Sequence, residues 1–333
     1  MKSFANWDIY YLYEYAQGFM LHGDGEPLLI EYRDDDAHFC YAMMKSDIAD
    51  APAFCGILER QKYYDMETPY GYGGPLSDGE VTEASQKRFL KELKDYCGME
   101  GIVSQFIRFH PLLQNHVLMP FVFETRYMRD TIYMDTASPE LISANMDSKN
   151  RNMVRKAIKS GVTIERRAID QYSEFLPMYE ETMLKDEAAA YYTFQKDYFD
   201  AQSELKDNAC IFYAMYEEQP IAGAMMYYND RFMHYHLAGT HTEYRKFAPS
   251  NLMLYEAACW ASTQGIQKFH LGGGMAADDN LFGFKKQFNK SGRLPFVIGR
   301  TIFDKSVYQK LLHMRKQANS TFDMENGRMI QYR

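Results

Sequence analysis

The spacing of apolar and polar positions divides the chain into alternating strand and helix segments. In Val81–Cys97, residues Phe89, Leu90, Leu93, Tyr96 and Cys97 recur at helical spacing and Gly98 is placed to end the segment, which predicts an amphipathic helix. Before it, Trp7–Phe19 reads as an aromatic helix, and Pro27–Arg33 and His38–Met44 read as strands separated by the acidic turn Asp34-Asp35-Asp36. Thr68–Asp78, rich in Gly and Pro, reads as irregular. Strands near Gly101–Phe109 and Met119–Asp135 follow. A basic helix is expected over Leu141–Ser160, closed by Gly161, then a strand over Val162–Ala168 and helices over Tyr172–Asp186 and Phe194–Lys206. Ala209–Tyr216, Ile221–Tyr228 and Phe232–Gly239 are three consecutive strands joined by the turns Glu217–Pro220 and Asn229–Arg231, an antiparallel meander. Ser250–Gln264 is apolar nearly all round and predicts a buried helix, with Ser250 as N-cap and Gly265 as stop. A strand Lys268–Leu271, a Gly-rich turn, a helix Asn280–Phe288, a strand Pro295–Phe303 and a helix Val307–Lys316 complete the chain.

Length and composition narrow the class. The 333 residues, 46% hydrophobic and 25% charged, fit a globular protein of about two domains. A net charge of −8 argues against a generic nucleic-acid coat protein, and no DNA partner is expected. The charge is uneven. Gly283–Arg333 holds eleven Lys/Arg against three Asp/Glu, and Ser148–Ala168 seven against one, so two basic islands sit in an otherwise acidic chain. They are expected to wall one anion-accepting cleft. The five cysteines are widely spaced and form no C-x-x-C pair, which fits reduced thiols rather than a disulfide framework or zinc ribbon. With no apolar signal core at the N-terminus and no run near the ~18 apolar residues of a membrane span, a soluble cytoplasmic protein is expected.

Candidate chemistry lies mostly in the second half. Arg245 and Lys246 stand just before the helix start at Ser250 and Asn251, where unsatisfied N–H groups and the helix dipole suit a phosphate. Leu271-Gly272-Gly273-Gly274 follows a strand and precedes a helix. It has no G-K-[ST], so it reads either as a turn that lets backbone approach a substrate or as a phosphate cradle. His234 and His236 alternate along one strand, and either suits a general base or substrate contact; no metal site is assigned. In Asn280–Phe288, Phe284 and Phe288 fall one helical turn apart, flanked by Lys285 and Lys286, and a lysine beside a reacting carbonyl stabilises oxyanion charge. Tyr70 and Tyr72 present rings and hydroxyls on a Gly-rich loop of the kind that contacts ligands.

The order of elements in the second half is similar to that of the GNAT acyltransferase fold. Four segments taken together, the TPYGYGGP loop, SKNRNMVRKAIKSGV, YHLAGTHTEYRKFAPSNLML and LFGFKKQF, resemble the FemAB-like acyltransferases. The resemblance implies an α/β fold of two tandem GNAT-like domains, each a mostly antiparallel mixed sheet flanked by helices, with a cleft between them. Boundaries are placed at residues 1–147 and 148–304, with the tail 305–333 returning to the first domain. It implies an N-acyltransferase working without a covalent enzyme intermediate and without a permanently bound cofactor. Acyl-CoA or aminoacyl-tRNA is the co-substrate, and an amine, small or linked to a nucleotide sugar, is the acceptor. Cell-envelope biosynthesis is the setting known for such enzymes. The family's lysine falls on Lys285. Arg245, Lys246, Ser250 and Asn251 are expected to hold donor phosphates; Tyr70, Tyr72, Arg151 and Tyr235 to line the acceptor side; His236 or Glu243 to take the amine proton. Two alternatives stay open: a tRNA-dependent aminoacyltransferase acting on a nucleotide- or lipid-linked cell-wall precursor, and a non-catalytic ligand-binding module.

Overall fold

The computed structural model describes residues 3–186 and 189–333. They divide into two compact units, Met1–Met128 with Phe296–Arg333, and Arg129–Pro295. The stretch 129–147 therefore lies with the second unit and Phe296–Asp304 with the first.

The first unit carries α1 (Tyr13–His22), β1 (Glu26–Arg33), β2 (Ala37–Asp47), β3 (Tyr64–Glu67), β4 (Leu76–Gly79), α2 (Glu83–Met99) and β5 (Ile102–Arg108). The second opens with β6 (Glu124–Asp135, begun in the first unit), α3 (Pro139–Asn145), α4 (Ser148–Lys159), β7 (Thr163–Ala168), α5 (Phe175–Lys185) and α6 (Lys196–Gln202). The meander β8 (Ala209–Tyr216), β9 (Gln219–Tyr228) and β10 (Phe232–Thr240) leads into α7 (Pro249–Thr263), β11 (Lys268–Gly272) and α8 (Asn280–Lys286). From there β12 (Arg293–Ile302) and α9 (Lys305–Ala318) return the chain to the first unit.

Both units are built on a β-β-β-α-β core. In the first the strand order is β1-β2-β3-β5-β12, with β3 and β5 parallel and the other neighbours antiparallel. In the second it is β6-β11-β10-β9-β8-β7, with β10 and β11 as the parallel pair. A parallel pair needs a crossover, and one long helix supplies it each time, α2 in the first unit and α7 in the second. Phe89, Leu93 and Cys97 of α2 bury against Phe39, Tyr41 and Ile102. Leu252, Leu254, Ala257, Ala258 and Ala261 of α7 bury against Phe212, Ala214, Ala222 and Ala224. The small residues on facing surfaces bring helix and sheet close together. Tyr308, Leu311 and Leu312 of α9 close a third cluster with Ile48, Phe54, Val103 and Tyr332.

The helix expected over Trp7–Phe19 divides into a short turn at Ile9–Tyr11 and α1, and the strand expected from Met119 begins at Glu124. Three further expectations change. Leu76–Asp78, expected to be irregular, begins β4, which pairs with Ala37–Cys40. The helix expected over Leu141–Ser160 breaks into α3 and α4, because Met146 and Asp147 are extended. Arg151 stabilises the break by donating to the carbonyls of Ser143 and Met146. Ser250 is not the N-cap of α7: Pro249 takes the first helical position, which suits its fixed φ and missing N–H, and Ala248 before it is left-handed at φ 57°.

Candidate functional site

The site in the second unit starts from a split between two strands. β10 and β11 pair only over Phe232–His234 with Lys268–His270. Beyond His234 that ladder ends, while β10 stays paired with β9 as far as Thr240. A bulge at His236 bends β10, and β11 has its own irregularity between His270 and Gly272. Bulges re-aim side chains and terminate pairing, so two parallel neighbours diverge here toward their C-terminal ends.

Lys285 reaches this split. Asp279 caps α8 by accepting from Phe282 N–H (2.8 Å), and its other oxygen accepts from Met275 and Ala276 N–H (2.6 and 2.9 Å). Those two amides are thus consumed by the protein's own carboxylate and are not free to cradle a phosphate. Gly274 leaves room for this turn, since a Cβ there would stand 2.0 Å from the Asp279 carboxylate and would have to displace it. The capped turn sends Lys285 inward, to 8% exposure, while Lys286 faces solvent. The Lys285 Nζ donates to the Gly273 carbonyl (2.7 Å), just past β11, and lies 5.7 Å from the ring centroid of Tyr235 on β10. It makes no ion pair among the described residues. Burial pushes its pKa down to about 8, the more distant Asp279 charge opposing the shift. Burial likewise raises the Tyr235 phenol, so it stays protonated.

The N-terminus of α7 is the second feature. No side chain among the described residues caps it. A 15-residue helix with an uncapped start presents free N–H groups and partial positive charge. Ser250 Oγ contacts Thr240 Oγ1 (3.2 Å), and Asn251 Nδ2 donates to Asn150 Oδ1 on α4 (2.7 Å). Asn150 is fully buried and its own Nδ2 has no partner. Arg245 and Lys246 are exposed just ahead, with the Lys246 Nζ 5.1 Å from the Phe247 ring centroid.

The remaining predicted residues fall in different settings. His236 Nε2 pairs with Tyr198 OH (2.8 Å) and its ring lies 4.5 Å from that of Tyr227. Burial, with His234 adding to it, pushes its pKa down to about 3, so the imidazole is neutral at physiological pH. Glu243 is exposed and lines an open pocket of about 340 Å³ with Glu174, Gln219, His241 and Tyr244. Arg151 is engaged with the α3 carbonyls, an orienting role in the chain itself. Tyr70 and Tyr72 belong to the first unit. Tyr72 packs edge-on against Tyr10 and Phe296, and the Tyr70 carbonyl accepts from Tyr15 OH. The basic island Ser148–Ala168 forms α4 and β7 of the second unit, whereas Gly283–Arg333 divides between the units at Pro295.

Sequence reasoning missed the Gly273 carbonyl, Tyr198 and Asn150. Asn150 carried a usable signal, since it sits within the Ser148–Arg151 motif; Tyr198 carried none, being 38 positions from the histidine it meets.

Residues 148–286 match the acetyltransferase (GNAT) domain family. Across the whole chain the fold is similar to that of FemX, at 16% identity, covering 93% of this chain and 96% of that one with a TM-score of 0.67. L-PGS from Bacillus licheniformis is similar at 14% identity, with 91% and 95% covered and a TM-score of 0.50. So is the C-terminal domain assigned to a lysylphosphatidylglycerol synthetase from Agrobacterium fabrum, at 11% identity, 88% of each chain and a TM-score of 0.55. No curated protein matches the sequence. The match gives residues 148–286 an acetyltransferase-type (GNAT) domain. No helix among the described residues is long and apolar enough to cross a membrane.

Proposed function

We propose that the protein is an N-acyltransferase that moves an acyl group from acyl-CoA to an amine, with the donor held by the second unit. The observation that carries this is Lys285, a buried ammonium with no ion-pair partner among the described residues, beside the split between β10 and β11. A group of this kind is costly to bury and is repaid when negative charge forms next to it. In the reading, the phosphates of the donor rest at the uncapped start of α7, near Arg245, Lys246, Ser250 and Asn251. The thioester carbonyl enters the split. The neutral amine attacks the carbonyl carbon, the oxyanion is met by the Lys285 ammonium, the C–S bond breaks and sulfur leaves as a thiol. Tyr235 bounds the reacting end, and Arg151 fixes the α3–α4 break through the carbonyls of Ser143 and Met146. His236, held neutral and paired with Tyr198, orients rather than stores a proton, which leaves Glu243 as the proton acceptor. The compartment is the cytoplasm, consistent with five cysteines that form no disulfide.

The second reading replaces the thioester with the ester of an aminoacyl-tRNA and the small amine with a nucleotide- or lipid-linked precursor. The whole-chain likeness to FemX favours it. A donor screen separates the two. Purified protein is incubated with an acyl-CoA panel or with charged tRNAs and an amine library, and products are read by mass spectrometry. Thiol release coupled to amide formation upholds the first reading. Transfer from charged tRNA alone, weakening steeply with salt, overturns it in favour of the second.

A further inference from the structure

We propose that Lys285 is a self-acylation site: when a thioester donor is bound and no acceptor is present, its Nζ takes the acyl group and blocks the centre. The inference rests on the acyl-transfer reading above. The geometry favours it in two ways. The nitrogen is held in place by the Gly273 carbonyl (2.7 Å), and a neutral amine keeps this bond through an N–H while its lone pair stays available. No carboxylate among the described residues forms an ion pair with the group: Asp279 spends its oxygens on the amides of Met275, Ala276 and Phe282 and favours the ammonium only as a charge at longer range, which burial outweighs. Lys286, next in the chain and exposed, gives an internal control. With a pKa pushed down to about 8, roughly a tenth of Lys285 is a neutral amine at pH 7.

The step balances without an added oxidant or reductant. The Nζ lone pair attacks the thioester carbonyl carbon, the C–S bond breaks, and the sulfur leaves as a thiol with the proton that Nζ gives up. The product is an Nε-acyl amide. It still has one N–H for Gly273 but no charge to offer an oxyanion, so the acylated chain is inactive. It is also freed of a buried ammonium, so it is more stable than the parent.

The test uses the full chain without any amine, incubated with acetyl-CoA and, separately, with p-nitrophenyl acetate, which needs no phosphate site. Intact mass and peptide mapping follow the label. The expected result is one acetyl group on Lys285, gained about tenfold faster than on Lys286, allowing for the lower nucleophilicity of a less basic amine. The rate climbs with pH and levels near 8, activity falls in step, and the melting temperature rises. Lys285→Arg, with its melting checked, takes no label there. Labelling of Lys285 by p-nitrophenyl acetate but not by acetyl-CoA upholds the nucleophile and overturns the acyl-CoA donor. Labelling of Lys285 no faster than Lys286 by both reagents overturns the proposal.

Discussion

The two units share a β-β-β-α-β core but finish it differently. The crossover helix of the first, α2, starts with a capping box: Thr82 accepts from Ser85 N–H (3.0 Å), and the Ser85 hydroxyl accepts from Thr82 N–H (3.0 Å). Its N-terminus is satisfied from within the chain. The corresponding helix of the second, α7, starts with no side-chain cap. Buried charge follows the same contrast. In the first unit Asp8 pairs with His110 (2.7 Å), both fully buried, and Asp65 accepts from Tyr332 OH (3.0 Å) and from the Arg333 guanidinium. In the second, Lys285 is buried with one carbonyl as its hydrogen-bond partner. A unit that satisfies its own helix start and its own charges is built for stability. One that leaves both open holds binding capacity for a ligand.

The contrast can be broken from either side. Asp65→Ala removes the carboxylate that the buried Tyr332 hydroxyl and the solvent-facing Arg333 share, and leaving the buried hydroxyl short of a partner costs about 1–3 kcal/mol. Urea unfolding is expected to show that loss, with turnover per folded molecule little changed. Lys285→Met inverts the pattern. Acyl transfer is expected to fall by about 10²–10³, the scale of a lost oxyanion contact. Stability at neutral pH is expected to rise by up to about 3 kcal/mol, because a desolvated ammonium is gone.

The pH dependence sharpens the same point. Folding holds the Lys285 pKa at about 8, below its ordinary 10.5, so between these values the unfolded chain binds more protons than the folded one. Stability contributed by this group must therefore rise across that window, while transfer that needs the ammonium falls about tenfold per pH unit above 8. Lys285→Met removes both slopes. Closing the open helix has a smaller effect: Ala248→Asp puts a carboxylate at the start of α7, and a rise of about tenfold in donor KM with kcat preserved is expected. Arg245→Ala is the mildest, a few-fold rise in donor KM that fades at high salt, since the guanidinium is exposed.

Much of this was legible from local pattern. The meander, α2 and α7 follow from periodicity and from turn residues a few positions away, and the order of elements pointed to the crossover and the parallel pair. What escaped depends on longer reach. The break at Met146 needs the Arg151 side chain to fold back on α3. The start of α7 at Pro249 was readable from the proline but was assigned to Ser250 because a serine is the commoner cap. Spacing alone put both Lys285 and Lys286 beside the Phe284–Phe288 seam, and the family resemblance singled out Lys285; the Asp279 cap shows how Lys285 turns inward while Lys286 stays exposed. His236 was singled out by its alternation with His234; its neutrality and its bond to Tyr198 come from burial that no spacing reveals.

The central claim is that an unpaired buried lysine in the second unit drives acyl transfer. The most direct measurement compares the wild-type chain with Lys285→Met at pH 7 on one acyl-CoA and amine pair, following thiol release and product mass together, with melting curves alongside. The account predicts product from the wild type, a loss of about 10²–10³ in kcat/KM for the variant, and a higher melting temperature for that same variant. Equal turnover by the two, or a variant that loses activity only because it melts earlier, would contradict it.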